Sequence, residues 1–533
     1  MDFTRRDLLI SVAAGALASA MAAGSSNAAV PVDILVVGKQ IDDIVAGFDP
    51  AEVSGFSDDE VCGNCYRKLV APDPSGNGAV IPDLAERWTV SEDGLTFTFV
   101  VRKDVKFDSG NAVGADDVVF SIQRAVKLNK FLAFIYTQLG IKADNVDANV
   151  SVVDGNVQIK IPKRKAPTLV LSSLSANIAS VVEKAQALAH EVDGDFGNNW
   201  LKTHTAGAGS YRLTDWKASD YIRLEANPNA EVRPNIPRLV IRHVRDAAEQ
   251  LLLLQKGDID IARNLTSDQL AKLATESGYS LESAKQLQLM YLGMNMSVPA
   301  FRSKQVREAV RYAIGYEDIA NNITPNVWSV WQSYLPGGLQ GAIKDLPFKK
   351  DVEKAKSLMA DAGFADGFSV TLDHFSTSPH REIAQALQSD LSAIGIQVQL
   401  LPGEENQVIS KIRSRQQQMA LHIWFSDYPD PDANSQTYCS NKDNSDNTTA
   451  KTLAWRYNFV DEQMTTQVEE AAAELDATKR FAIYGDLQRE AMDRAPYAVL
   501  LQKSEVACLR EGVSGLHLGL VPAHTRYAGV AKA

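Results

Sequence analysis

Residues 351–400 read DVEKAKSLMADAGFADGFSVTLDHFSTSPHREIAQALQSDLSAIGIQVQL and switch repeatedly between the helical and the strand period. A helix that starts at Asp351 is stopped by Gly363, a strand covers 368–372, and Ser378 with Pro379 offers a capped start for a second helix. Ile383, Leu387, Leu391 and Ile394 share one face of that helix, Gly395 ends it, and Ile396-Gln-Val-Gln-Leu400 alternates as a strand. Elements in this order bury their apolar faces by laying helices on a sheet, which predicts an α/β lobe.

C-terminal to this unit stands LHIWFSDYPDPD, residues 421–432. Ala420 to Phe425 has the composition of a strand buried on both faces, and Pro429 and Pro431 forbid its continuation. Asp427 is thereby left at a strand end beside Trp424, Phe425 and Tyr428. A carboxylate in that place suits two roles: it forms the turn, or it holds a cation such as an α-amino group between aromatic walls. A helix over 480–491 and a returning strand over 497–502 close the lobe.

Toward the N-terminus, a helix ending at Lys256 with Gly257 as its stop precedes a strand over 258–261. Val306, Ala309, Val310, Ala313 and Ile314 mark another apolar helix face. Earlier still, Ser91-Glu-Asp-Gly94 turns into the alternating strand Leu95-Thr-Phe-Thr-Phe-Val-Val101, and Asp116 with Asp117 opens a helix. Residues 56–70 read as a helix and 33–37 as a strand.

Arg5-Arg6 precedes an apolar segment over 8–23 and the small residues Ser26-Asn-Ala28, the order of a twin-arginine export signal over 1–29. No other stretch approaches the ~18 apolar residues of a membrane span. The remaining ~500 residues exceed what one core carries, so two or three domains are expected. With 54 Lys and Arg against 66 Asp and Glu the chain carries −12, which argues against nucleic acid or anionic lipid as a partner. Cys62-Gly-Asn-Cys65 lacks the second pair that a four-thiolate zinc site needs, and a local structural disulfide is the expectation, with Cys439 and Cys508 unassigned. No Gly-x-Ser-x-Gly elbow, His-Glu-x-x-His pair, phosphate loop or dinucleotide fingerprint occurs, and no two of the eight histidines stand four apart. Neither a catalytic residue, a metal nor a cofactor is expected. The run 441–447 lacks the glycine and terminal glutamate of a calcium loop and reads as a solvated loop.

Pro82-Asp-Leu-Ala-Glu-Arg-Trp88, Val90-Ser-Glu-Asp-Gly-Leu-Thr-Phe97, Val101-Arg-Lys-Asp-Val-Lys-Phe107 and Ala115-Asp-Asp-Val-Val-Phe-Ser121, in this order and spacing, resemble the solute-binding proteins of peptide-type ABC importers. That is bacterial solute-binding protein family 5, which includes the oligopeptide and dipeptide binders. Ala206-Gly-Ala-Gly-Ser-Tyr-Arg212, Ile222-Arg-Leu-Glu-Ala-Asn-Pro228 and Tyr291-Leu-Gly-Met-Asn295 continue the resemblance. Asn229-Ala-Glu231 stands where an aromatic pair is common, and Gly315 where Asp is usual.

The resemblance implies an α/β fold of the two-lobed periplasmic-binding-protein type (type II) with an extra inserted N-terminal subdomain. Lobe I would comprise 30–73, 201–290 and 501–533, the subdomain 74–200 and lobe II 291–500. It implies a monomeric periplasmic protein, not an enzyme, that captures a peptide or peptide-like solute between the lobes and delivers it to a membrane permease with its ATPase. By motif, Asp427 is the acid that grips a ligand α-ammonium, and Trp424 and Phe425 lie on the strand whose backbone bonds the peptide. Tyr428, Tyr291 and Asn295 accompany them as ligand contacts. The arginine that takes the ligand carboxylate in dipeptide-type members is absent from Asp373-His-Phe-Ser376, which leaves His374, Arg413 or Arg415, or a ligand without that group. Competing functions are a non-peptide solute on the same fold (opine, oligosaccharide or metal chelate), a periplasmic chaperone or receptor, and a hydrolase pairing Asp427 with Asp430 or Asp432.

Overall fold

The computed structural model describes residues 30–53, 55–73, 79–426, 428–448 and 450–533, so the export signal expected over 1–29 lies outside it. Its frame is a sheet of eleven strands: β1 (Ile34–Lys39), β2 (Tyr211–Lys217), β3 (Tyr221–Ala226), β4 (Arg238–His243), β5 (Ile261–Ala262), β6 (Tyr279–Met294), β7 (Trp328–Val330), β8 (Phe368–Phe375), β9 (Ile396–Gly403), β10 (Met419–Phe425) and β11 (Tyr497–Arg510). The order across it is β9-β8-β10-β6-β11-β5-β1-β4-β3-β2, with β7 paired to β11. Strands β8, β9 and β10 run parallel in one lobe, and β1, β4 and β5 belong to the other.

Helices cover these strands where the apolar stripes predict. They include α1 (Phe56–Cys65), α2 (Ala115–Leu128), α3 (Lys304–Ala313), α4 (His380–Ser392), α5 (Pro431–Cys439) and α6 (Ala477–Arg494). Val306, Ala309 and Val310 of α3 and Ile383, Leu387 and Leu391 of α4 bury against Leu372, Ile396 and Leu421 on one face of lobe II. An aromatic layer containing Tyr291, Tyr438, Tyr457 and Tyr497 buries the other face. A sheet closed on both faces is the normal setting for parallel strands. A separate four-stranded antiparallel sheet carries the expected alternating strand as Thr96–Val101, whose Phe97 and Phe99 bury against Val118, Ile122 and Ala125 of α2.

Among the described residues, β6 and β11 are the strands that pass from one lobe to the other. They pair from Tyr279↔Arg510 to Lys285↔Ser504, then again from Leu289↔Gln502 to Gly293↔Tyr497, and the register breaks between. At the break the Leu287 N–H donates to the Leu520 carbonyl at 2.9 Å, and the Leu287 carbonyl accepts from the Ser426 N–H at 3.0 Å. The buried Gln502 amide donates to the carbonyls of Gln286 (2.9 Å) and Gly337 (2.7 Å) and accepts from the Gly337 N–H (3.0 Å). The interrupted ladder thus leaves none of these backbone groups orphaned.

Local expectations fail where partners distant in sequence intervene. The helix expected over 56–70 ends at Cys65, because Tyr66 turns extended and Val70–Pro72 pairs with Val80–Pro82. Ser378 does not cap α4, whose N-cap position is Pro379. The strand expected over 258–261 shrinks to Ile261–Ala262, while that over 497–502 extends to Arg510 in order to cross between lobes. The disulfide expected between Cys62 and Cys65 is not formed: both thiols are free and buried. The Cys62 thiol donates to the Phe48 carbonyl at 3.3 Å, and burial raises the thiol pKa of both residues.

A buried charge cluster draws the segments of lobe I together. Glu60 of α1 meets Lys39 of β1 at 2.7 Å and Arg263 at 3.1 Å, accepts from the Tyr527 hydroxyl, and Arg263 reaches Glu505 of β11 at 3.0 Å. Burial alone would raise the Glu60 pKa, but Arg263 and Lys39 outweigh it and hold the carboxyl at about 2, below the ordinary 4.5. Its contribution to stability is therefore complete above pH 4.5 and lost as pH falls through about 2. Removing one member of a buried pair strands the other, so Glu60→Gln should cost ~3–5 kcal/mol in urea unfolding at pH 7. The loss should shrink on acidification toward pH 2; a loss that is the same at both pH values would show that the carboxylate charge is not what stabilises the lobe.

Candidate functional site

The turn after β10 sits at the ladder break. Phe425 lies opposite Gln288 in the β10–β6 register, and the next residue, Ser426, makes the bond to Leu287. Proline at 429 and 431 stops the strand, and Asp430 then caps α5 by accepting from the Asp432 N–H at 2.8 Å, with Pro431 at the first helical position. Strand thus becomes helix within a few residues. Asp427 itself lies outside the described residues.

Half-buried Phe425 meets Phe56, the exposed first residue of α1 in lobe I, edge-on at 5.4 Å. This contact joins the lobes across a cleft, and Trp424 stands beside it, edge-on to Tyr438 at 6.3 Å. The Trp424 Nε1–H is buried and has no hydrogen-bond partner among the described residues. On the lobe I side a cavity of about 170 Å³ is lined by Phe56, Ser57, Gln288, Arg263, Lys503 and Glu505 among others. Asp43 Oδ2 accepts from the N–H groups of Phe56 (2.6 Å) and Ser57 (2.9 Å), satisfying the helix start that borders the cleft.

The other residues of the turn are committed to holding it. The buried Tyr428 hydroxyl lies 3.1 Å from Gln138 Oε1 on the inserted subdomain and 3.2 Å from Asp432 Oδ2. Asp430 takes a two-pronged contact from Arg480 of α6 at 2.9 and 2.6 Å, with both residues buried. Arg480 also donates to Thr168 Oγ1 at 2.6 Å, and the Ala166 N–H donates to the Ala472 carbonyl at 2.8 Å, so the turn is tied to the subdomain as well. Burial, and then the neighbouring Asp430, raises the Asp432 pKa. A paired-carboxylate hydrolase needs two acids facing a substrate, and both oxygens of Asp430 are already taken by Arg480.

Three residues expected to touch ligand are placed inside lobe II instead. Tyr291 is fully buried, edge-on to Tyr438 (5.8 Å), Tyr457 (6.2 Å) and Tyr497 (5.9 Å). Asn295 is fully buried: its amide donates to the Gln417 carbonyl at 2.9 Å and accepts from the Ser297 N–H and Asn458 Nδ2, each at 2.9 Å. His374 is buried in β8 with Nδ1 2.8 Å from the Phe375 carbonyl. Tyr291 and His374 sit on strands covered on both faces, and Asn295 directly follows β6, which is why all three are buried in lobe II. Arg415 is committed to the 441–455 region, donating to the carbonyls of Trp455 (2.8 Å) and Asn444 (2.9 Å) while stacking on the Trp455 ring at 4.0 Å. Arg413 is exposed near the end of a helix. Phe56, Gln138 and Arg480 are the cleft and turn residues that sequence reading missed. Phe56 alone had a local cue, its place at a helix start.

Residues 79–446 match the model for bacterial extracellular solute-binding proteins, family 5, middle region. The chain is 28% identical over 497 residues, 92% of each protein, to the probable D,D-dipeptide-binding periplasmic protein DdpA of Escherichia coli K12. It shares its fold with the dipeptide-binding protein of Pseudoalteromonas sp. SM9913 bound to Met-Leu (TM-score 0.75, 22% identity, 94% of this chain and 100% of that one). It likewise shares the fold of the binding protein AgaA of A. tumefaciens R10 bound to agropinic acid (TM-score 0.71, 22% identity, 94% and 99% of the chains). With two lobes joined by two crossing strands and an extra subdomain, the chain belongs to the bacterial extracellular solute-binding proteins of family 5.

Proposed function

We propose that this protein captures a small peptide-like solute between its lobes in the periplasm and delivers it, as a monomer, to the permease and ATPase of an ABC importer. The observation that carries this is the Phe56–Phe425 contact across a cleft whose floor is the interrupted β6–β11 ladder. A solute gripped from both sides favours the closed arrangement, because its contacts with both lobes exist only there. The relatives' dipeptide ligands support a peptide-like solute, and the periplasmic relatives support export, for which Arg5 and Arg6 supply the twin-arginine route. No helix among the described residues is long and apolar enough to cross a membrane. We divide the chain into lobe I (30–73, 201–290 and 501–533), the subdomain (74–200) and lobe II (291–500).

We assign the ligand cation to Asp427, flanked in sequence by Ser426 and Tyr428, which are both anchored at the cleft. Trp424 and Phe425 supply its walls. One observation favours a second ligand class, an opine or another solute without a free peptide carboxylate: the stretch Asp373–Ser376 holds no arginine, and His374 is turned into the lobe. Agropinic acid bound by a protein of the same fold is in keeping with that class.

A thermal melt against a library of dipeptides and opines should show stabilisation of ~2.7 kcal/mol for a true ligand at one hundred times its dissociation constant. No shift with any member would remove both ligand classes. Asp427→Asn keeps the shape but leaves a buried ammonium unpaired, at ~2–5 kcal/mol of affinity, or at least ~30-fold by calorimetry. Were Asp427 only a turn former, Asn would serve nearly as well; a loss under about threefold with an unchanged apo melting temperature would take it out of the site. Replacing Arg5 and Arg6 by lysine should leave the precursor in the cytoplasm, and normal export of that variant would point to the general secretory route.

A further inference from the structure

Lobe I holds a second and larger cavity, about 840 Å³, whose described lining includes none of Trp424, Phe425, Ser426 and Tyr428. It lies beyond the C-terminal end of α1, between the strand Val70–Pro72, the loop at Ala230–Val232 and the C-terminal segment 517–529, and reaches the ladder break at Ala284, Lys285 and Leu520, with Gly338 contributed from lobe II. Its size is that of a site for a small organic molecule.

Arg67, Lys68, Lys285 and Arg526 line it against Asp73, Asp83 and Glu231, one cation in excess. Asp83 and Glu231 are both occupied by Arg67, at 2.5 and 2.6 Å, and Arg102 adds a second contact to Glu231 at 2.9 Å. Lys68 is only 3% exposed, yet among the described residues its ammonium makes no hydrogen bond and no ion pair. Arg526 donates only to the backbone carbonyls of Ala523 (2.5 Å) and Thr525 (3.1 Å) and likewise meets no carboxylate within ion-pair distance. The nearest acids that act on Lys68 are Asp59, whose oxygens accept from the Ala523 N–H and the Asn177 amide, and Asp83, held by Arg67. Burial, reinforced by Arg526, lowers the Lys68 pKa to about 8. His517 and His524, also on the wall, have pKa values lowered by burial and Arg526, which leaves them neutral at pH 7. Val70, Ile81, Ala230, Val232 and Leu518 make much of the remaining surface apolar. A buried ammonium with no carboxylate in direct contact is costly to maintain, and an anion arriving beside it relieves that cost.

We propose that this cavity is a second ligand site, distinct from the place of the Phe56–Phe425 contact, that takes an amphipathic carboxylate: the acid group on Lys68 and Arg526, the apolar body along Val70, Ile81 and Leu518. Binding needs protonated Lys68, so affinity for the carboxylate falls as pH rises through about 8.

The test uses decanoate, with decanol as its neutral match, each displacing anilinonaphthalenesulfonate from the purified protein at pH 7. Decanoate should displace the dye at least ~10-fold better than decanol, the worth of one charge-assisted contact, and should lose that advantage between pH 7 and 9. Lys68→Met should erase the preference without lowering the apo melting temperature, whereas a lysine serving only the fold would lower it when removed. Ala230→Trp should fill the cavity and weaken both compounds; if that variant does not fold, Lys68→Met decides alone. Asp427→Asn should bind decanoate as the unaltered protein does. Equal binding of decanoate by Lys68→Met, loss of it in Asp427→Asn, or no saturable binding below about 1 mM would overturn the second site.

Discussion

The molecule depends on how one residue's backbone is satisfied. Two strands must cross from lobe to lobe, and for a cleft to exist their ladder must open in the middle, which strands N–H and carbonyl groups that are costly to bury unpaired. Leu287 stands in that opening: its N–H is taken by Leu520 of the C-terminal segment and its carbonyl by Ser426 of the lobe II turn. The two walls of the cleft are thus hydrogen-bonded to one hinge residue, and Gln502 closes the remaining gap to Gln286 and Gly337.

Around the ladder break, buried charges tie distant segments together. Asp430 and Arg480 bind the turn after β10 to α6, and Arg480 extends the tie to Thr168 of the subdomain. Glu60 does the same for β1, α1 and the C-terminal segment in lobe I. Pairs of this kind contribute little net stability against an apolar replacement, but they penalise any arrangement that separates them. With these acids and bases engaged with each other, the cleft presents aromatic rings from both lobes and mixed charge on its lobe I wall.

The two cavities of lobe I differ in the same terms. In the smaller one, Lys39, Arg263, Glu60 and Glu505 neutralise one another, as expected of a wall whose charges serve the fold. In the larger one Asp83 and Glu231 are held by Arg67, while Lys68 and Arg526 form no ion pair among the described residues. Evenly matched charges give a rigid wall; a surplus of one sign gives a wall that selects its occupant.

The sequence by itself determined the alternation of helices and strands over 351–400, the stop after Phe425, the alternating strand at 95–101 and the family, because period, proline and glycine act within a few residues and keep their meaning wherever the segment packs. Those same local rules misjudged the end of α1 and the state of Cys62 and Cys65, where the deciding partners come from Phe48 and from the strand at Val80–Pro82. Tyr291, Asn295 and His374 looked like site residues because they sit in family-like or strand-end stretches; only the helices and loops of lobe II, folding over the sheet from both faces, put them in its interior. Arg480 finds Asp430 fifty residues away, and Phe56 finds Phe425 from the opposite lobe. Burial and pairing are properties of where chain segments meet, and no local pattern encodes a meeting between segments so far apart.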